Sequence, residues 1–193
     1  MRKVPLTMLL VLVFGLLAGP VSAEDELANK VTAYVQPGSS DSDVVVDLWM
    51  SNVNPVIGLT LPFKFAARTD TLIFDSISFA AGRASLFFTT DPIFRPSNNT
   101  LLVQMLWRMD STAAAPPIPP GEGPLARIWL RAQEKISMKE FRIASVQIPP
   151  NNVLLYVAQT LNRVNPSFGF KIGPPPAMEK KPAPGSDTKG GSK

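Results

Sequence analysis

From residue 43 to residue 65 the chain alternates apolar and polar side chains with a period of two. In DVVVDLWMSN, Val44, Val46, Leu48 and Met50 share one side, while Asp43, Asp47 and Ser51 share the other. Leu59, Leu61, Phe63 and Phe65 repeat the pattern, with Thr60, Pro62 and Lys64 opposite. A period of two places successive residues on opposite faces of a strand, one of them against a core. In LLVQMLWRMD the same reading puts Leu101, Val103, Met105, Trp107 and Met109 inside, with Gln104 and Arg108 outside. In GPLARIWLRA, Ala126, Ile128, Leu130 and Ala132 face in, and Arg127, Trp129 and Arg131 face out. Pro62 has no N–H to give to a ladder, so its amide side is expected at a bulge or a locally unpaired position. One residue breaks the pattern: Trp49 is in phase with the polar side of its strand. Tyr34, alternating with Ala33 and Val35, has the outward phase too.

Extended over the chain, this reading predicts strands at 30–36, 43–52, 57–65, 71–78, 85–89, 100–109, 124–132, 140–147, 153–158 and 167–172. The run ISMKEFRIASVQI has the look of a helical turn before its strand; elsewhere no stretch sustains a 3.6-residue apolar spacing. Short strands rich in Val, Leu, Ile, Phe and Thr, separated by Pro, Gly, Asn and Asp roughly every ten residues, are the pattern of an all-β sandwich. STAAAPPIPPGEG, residues 111–123, is stiff and proline-rich and is expected to be a surface loop.

The two ends differ from the middle. Arg2 and Lys3, the apolar run LTMLLVLVFGLLAG and the small residues Val21 and Ala23 make an export leader, with cleavage expected after Ala23. The rival reading is an uncleaved N-terminal anchor. No later segment is apolar enough to span a bilayer. The domain is expected over residues 24–172, and GPPPAMEKKPAPGSDTKGGSK, residues 173–193, lacks apolar periodicity and is expected to be a disordered tail. The mature protein is thus expected outside the cytoplasm: extracellular, at the cell surface or periplasmic.

Charge and composition narrow the function. The formal charge of +4 belongs to the ends: of nineteen Lys and Arg, two lie in the leader and four in the tail, leaving thirteen. Fifteen Asp and Glu, less Glu179 and Asp187, also leave thirteen, so the domain is neutral and has no electrostatic footprint for nucleic acid. The chain has no cysteine and no histidine, which removes disulfides, thiolate chemistry, His-based zinc sites and Ser-His-Asp catalysis. A carboxylate-pair hydrolase remains formally open, but Asp70, Asp75, Asp91 and Asp110 are scattered over loops and strand ends with nothing to pair them. Asp41, Asp43 and Asp47 are calcium-type oxygen ligands, yet Asp47 lies inside its strand, leaving only two carboxylates in the loop. No catalysis, metal or cofactor is expected.

SDVVVDLWMSNVNPVIGLTLPFKF resembles the opening of a cohesin domain, where a V-x-V-x-V-x-L-x-N strand is followed by a turn and a G-x-x-x-x-F-x-F-like strand. TDTLIFDSISFAAGRA looks like the stretch after that strand, and GPLARIWLRA is similar to the late G-x-L-A-x-I-x-F-x-V strand. The resemblance implies a nine-stranded jelly-roll sandwich. It also implies a role as a receptor for dockerin modules or as a polysaccharide-associated binding module. The chain departs from the family where FAARTD replaces the usual Tyr-Asp after the third strand, and it carries no dockerin-like calcium repeat of its own.

Two candidate surfaces follow. The resemblance sets the first, second and seventh strands side by side, so Tyr34, Trp49 and Trp129 form an expected aromatic row, flanked by Arg127 and Arg131. Such a row suits a sugar or a protein partner, because aromatics bring large contact area at low entropic cost. The plain alternative is that a loop or the tail covers it. The family's partner-binding face is the opposite sheet, whose outward candidates are Thr60, Lys64, Gln104 and Arg108. The sequence thus leaves three readings: a module for a dockerin-like protein partner, a polysaccharide-binding module, and a structural envelope protein.

Overall fold

The computed structural model of the chain describes residues 28–67, 72–89, 91–107 and 116–177. The expected leader, Arg108, Met109 and the tail beyond Ala177 lie outside the described residues. Among the described residues there is no helix long and apolar enough to cross a membrane.

Among the described residues twelve strands build two sheets: β1 (Lys30–Pro37), β2 (Asp43–Asn52), β3 (Val56–Ala66), β4 (Leu72–Ser78), β5 (Phe88–Thr89), β6 (Ile93–Arg95), β7 (Thr100–Leu106), β8 (Gly121–Ala132), β9 (Arg142–Ser145), β10 (Leu155–Ala158), β11 (Arg163–Val164) and β12 (Ser167–Ile172). The five-stranded sheet has the order β12-β1-β2-β8-β4. The seven-stranded sheet runs β11-β10-β3-β7-β5, with β6 also on β7 and β9 also on β3. The ladder between β1 and β12 is parallel, and it joins the two ends of the domain at one sheet edge.

The alternation read from the sequence decides what lies between the sheets. Val44, Val46, Leu48 and Met50 of β2 and Leu61 and Phe63 of β3 are completely buried, as are Leu101, Val103 and Met105 of β7 and Ile128 of β8. Aromatic contacts cross the interlayer. Phe63 meets Phe168 with centroids 5.5 Å apart, and Phe74 on β4 stacks on Phe94 on β6 at 5.7 Å. Trp107, expected inside, is half-buried against this core. Tyr156 is buried and donates its hydroxyl to the Lys30 carbonyl at 2.8 Å, which ties β10 of one sheet to β1 of the other. Burial pushes its phenol pKa up.

Pro62 sits at a handover. One side of β3 pairs with β7 throughout, whereas the other pairs with β10 up to Thr60 and with β9 from Phe63 onward. The missing N–H falls in the gap between the two partners, where no ladder bond is lost.

The structure differs from the expected strands where chain-local pattern is weakest. Residues 85–87 form turns, with the Ser85 and Phe87 amides donating to the Gly82 and Ala84 carbonyls, so only 88–89 are extended. β6 and β11, three and two residues long, are too short to show a period. Glu140 and Phe141 both donate to the Ser137 carbonyl, so the expected helical turn leaves β9 only residues 142–145. The proline-rich connection is pinned by Ile118, which is buried and exchanges both backbone hydrogen bonds with Val56 at 3.0 and 2.9 Å.

Arg83 locks the end of this connection. It donates to Asn52 Oδ1 and the Gly121 carbonyl, each at 2.7 Å, and to the Pro119 carbonyl. Partial burial among neutral acceptors pulls its pKa down. The preceding Gly82 lies so close to β8 that a Cβ there would be 1.9 Å from the Leu125 carbonyl oxygen. Gly82→Ala is therefore expected to destabilise the fold by about 1–3 kcal/mol, as overpacking against backbone does. Gly169→Ala meets the flexible end of Lys30 and, at the ordinary contact distance of 3.5 Å, Thr32 Oγ1, and should stay within about 0.5 kcal/mol of the parent. Urea denaturation of both variants checks the contrast.

Candidate interaction surface

The outer face of the five-stranded sheet carries the five residues Tyr34, Trp49, Trp129, Arg127 and Arg131. β1, β2 and β8 are adjacent, as expected. Their register corrects the expected row: Tyr34 faces Asp47, Trp49 faces Thr32 and Pro124, and Trp129 faces Val45. The aromatics are therefore staggered in a zigzag, with Trp49 beyond Tyr34 on one side and Trp129 behind it on the other. Tyr34 and Trp49 meet edge to face, with centroids 6.4 Å apart and planes at 76°. The ladder between β2 and β8 shifts at Leu48/Trp49, with Leu125 as the extra residue on β8. The bulge is thus on the partner strand, and Trp49 keeps its outward phase.

Outward does not mean exposed. Tyr34 and Trp49 each retain only 9% of their accessible surface, and Trp129 is half-buried. The Trp49 indole donates to Glu122 Oε1 at 3.1 Å, and Lys171 lies over the Tyr34 ring, 5.7 Å from its centroid. The two arginines are held as well. Arg127 grips Asp47 through Nε at 2.6 Å and Nη2 at 3.1 Å, and Gln36 donates to the same carboxylate at 2.8 Å. Arg131 donates Nη2 to both Asp75 oxygens at 2.9 Å. These carboxylates raise both guanidinium pKa values.

At the β1–β2 turn a polar cleft of about 960 Å³ opens between Ser39, Ser40, Asp43, Asp75, Trp129 and Arg131. Acidic residues at this turn also have partners. Asp41 pairs with Lys135 at 2.8 Å, while Asp43 accepts from Ser39 Oγ at 2.9 Å and the Ser40 amide at 3.1 Å. Those two serines, chiefly, hold the Asp43 carboxyl below the usual aspartate range. Among the described residues no group of three acidic side chains is placed to hold a metal ion.

The outer face of the seven-stranded sheet is of another kind. Thr60 and Gln104 are paired directly across β3 and β7, with Leu155 on the other side of Thr60; Lys64 is exposed between Thr100 and Ala144. Gln104 donates to Asn152 Oδ1 at 3.3 Å. On either side of this polar pair lie apolar cross-strand rows: Pro62–Leu102–Ile93 and Val157–Gly58–Leu106. Ile93 is 52% exposed and Leu106 57% exposed. Sequence reasoning passed over both. Leu102 and Leu106 share the phase of Gln104, so alternation carried that signal; Ile93 sits on a strand too short to have one.

Two sheets packed as a jelly-roll sandwich, closed at one edge by a parallel first-to-last ladder, define the class. No family model matches this sequence, and no curated protein matches it. Solved structures do. The chain is similar to the third cohesin of ScaC from Acetivibrio cellulolyticus, solved with the ScaB dockerin, at 16% identity over 74% of this chain and 96% of that one, with a TM-score of 0.52. It is also similar to the sixth cohesin of scaffoldin B from the same organism, solved with a Cel5 dockerin, at 16% identity, 76% and 94% coverage and a TM-score of 0.50. The OlpA cohesin of Clostridium thermocellum, solved with a dockerin, gives 9% identity, 75% and 99% coverage and a TM-score of 0.50. The protein has the cohesin fold.

In a double-mutant cycle, Asp47→Ala and Arg127→Ala should show a coupling of about 1 kcal/mol in urea denaturation, as expected for a charge-assisted bidentate pair at a sheet surface. Acid titration follows Asp43. Its folded pKa is depressed, so its contribution to stability is present above the unfolded value and lost as pH falls through the folded one. Ser39→Ala should move the Asp43 titration upward, toward the ordinary range, in carboxyl-carbon NMR.

Proposed function

We propose that the protein is an exported, non-catalytic recognition module that takes a dockerin-like protein partner on the outer face of its seven-stranded sheet. The observation that carries this reading is the pair of exposed apolar residues, Ile93 and Leu106, flanking Thr60 and Gln104 on an otherwise regular sheet. Large apolar side chains held in water on a rigid surface mark protein contact sites, and a polar pair between them supplies direction. The cohesins of similar fold, solved with dockerins, support a protein partner. Export rests on the leader pattern of residues 1–23.

The polysaccharide reading draws less support. Stacking on sugar rings needs open aromatic faces in line, whereas Tyr34 and Trp49 are buried edge to face. The structural-envelope reading has no surface of its own on this scaffold and would leave Ile93 and Leu106 without a role.

Immobilised protein, with Leu106→Asp and Ile93→Asp variants beside it, can be presented with a panel of dockerin modules. A partner of this face should bind the parent saturably and lose roughly tenfold or more in affinity to either variant, the scale of a central contact. Trp129→Ala, on the other sheet, should leave binding unchanged. Loss with Trp129→Ala alone, or a saturable shift of tryptophan fluorescence with a soluble polysaccharide, would overturn the assignment.

A further inference from the structure

β12 ends at Ile172 on the edge of the five-stranded sheet, beside β1. The Gly173 amide donates to the Val35 carbonyl at 2.8 Å, and Gly173 has φ +126°, a left-handed conformation that favours glycine. Three prolines follow. Without N–H groups, and with φ fixed, they cannot prolong the ladder and favour a stiff polyproline-II rod rising about 3.1 Å per residue. Strands lie about 4.8 Å apart, so three such residues span roughly two strand spacings. From Gly173, which continues the β12 line and bonds to β1, that distance reaches across β1 to β2 and its Trp49.

The chain follows this path. Pro175 and Pro176 share a cavity of about 400 Å³ with Trp49, Trp129, Pro124 and Ala81, over the outer face of β2 and β8. Pro176 and Ala177 reach a second cavity of about 650 Å³, where Trp49 meets Gly82 and Glu122. Pro175, Pro176 and Ala177, from the start of the expected disordered tail, therefore line the face that holds the sequence's out-of-phase tryptophan. Aromatic-lined grooves take polyproline-II segments because proline is already rigid and presents a flat apolar ring, so little entropy is lost on docking.

We propose that the outer face of the five-stranded sheet is a polyproline-II binding groove, occupied by the chain's own Pro174–Pro176. Trp49 and Trp129 form its aromatic floor, the 79–87 loop forms its far wall, and Gly173 is the turn that delivers the segment. A proline-rich peptide supplied from outside competes for the same groove. This assignment concerns the opposite sheet from the dockerin-like partner and stands or falls without it.

The test is acrylamide quenching of tryptophan fluorescence in the full chain, with Pro174, Pro175 and Pro176 all changed to Ser. Freed of its cover, the groove should give a rise in quenching, and the rise should vanish when Trp49→Phe and Trp129→Phe are added together. A synthetic peptide of residues 173–181, GPPPAMEKK, should reverse the rise saturably. Pro176→Gly alone, which leaves the Gly173–Val35 bond in place, should give a smaller rise and serves if the triple variant does not fold. Unchanged quenching in both variants, or no saturable reversal by the peptide, would overturn the proposal. So would a parent whose quenching rises on dilution as it passes from dimer to monomer, since the occupant would then be a second copy's segment.

Discussion

A tryptophan in the polar phase of a strand must be covered, or the sheet presents a large apolar surface to water. Most of what surrounds the five-stranded sheet follows from meeting that constraint at Trp49. Tyr34 packs its edge against the indole, Glu122 takes the indole N–H, and Pro124 stands across the ladder. The 79–87 loop can reach the site only because Gly82 lets its backbone touch β8, and Arg83 fixes the loop by gathering acceptors from β2 and from the proline-rich connection. A buried tryptophan side chain is worth several kcal/mol of apolar burial, enough to explain a dedicated cover of this kind.

The two outer faces are treated in opposite ways. On the five-stranded sheet the charged groups answer one another: Asp47 is shared by Arg127 and Gln36, and Asp75 is held by Arg131. A ligand arriving there must break those bonds before it can make its own, and much of what it gains only replaces what it removes. The seven-stranded sheet holds Ile93 and Leu106 in water, so covering them is favourable from the first contact. The proposed recognition therefore rests on Ile93 and Leu106, although the more conspicuous tryptophans and arginines lie on the other sheet.

How much of this was legible in the sequence depends on the range of the interaction. Side-chain facing is set within a strand, so the inward sets of β2, β3, β7 and β8 could be read directly, and so could the awkward position of Pro62. Register is set between strands far apart in sequence, which is why Tyr34, Trp49 and Trp129 read as a row and fold as a zigzag. The partners of Arg127 and Arg131 are equally non-local, 80 and 56 residues away. Short elements failed for another reason: the two and three residues of β11 and β6 hold no full alternation, and with β6 went Ile93. The cover over Trp49 was foreseen only as a possibility, since a run of prolines states its stiffness but not its direction.

The same division explains how a chain can keep the cohesin fold at 16% identity. Inward positions need only be apolar and of suitable volume, so many sequences satisfy them, and the quoted motifs are patterns of this permissive kind. Outward positions such as Thr60, Gln104 and their apolar flanks carry no such constraint from the core. Fold likeness at this level therefore speaks for the scaffold, while under the proposed function the identity of the partner must come from those few side chains. Ile93 and Leu106 lie on opposite flanks of the Thr60–Gln104 pair. A partner that contacts both must span the pair, and it must leave Gln104 bonded to Asn152 or replace that bond. That requirement selects an occupant with apolar anchors at both ends and a polar group between them, and it disfavours one that is uniformly greasy.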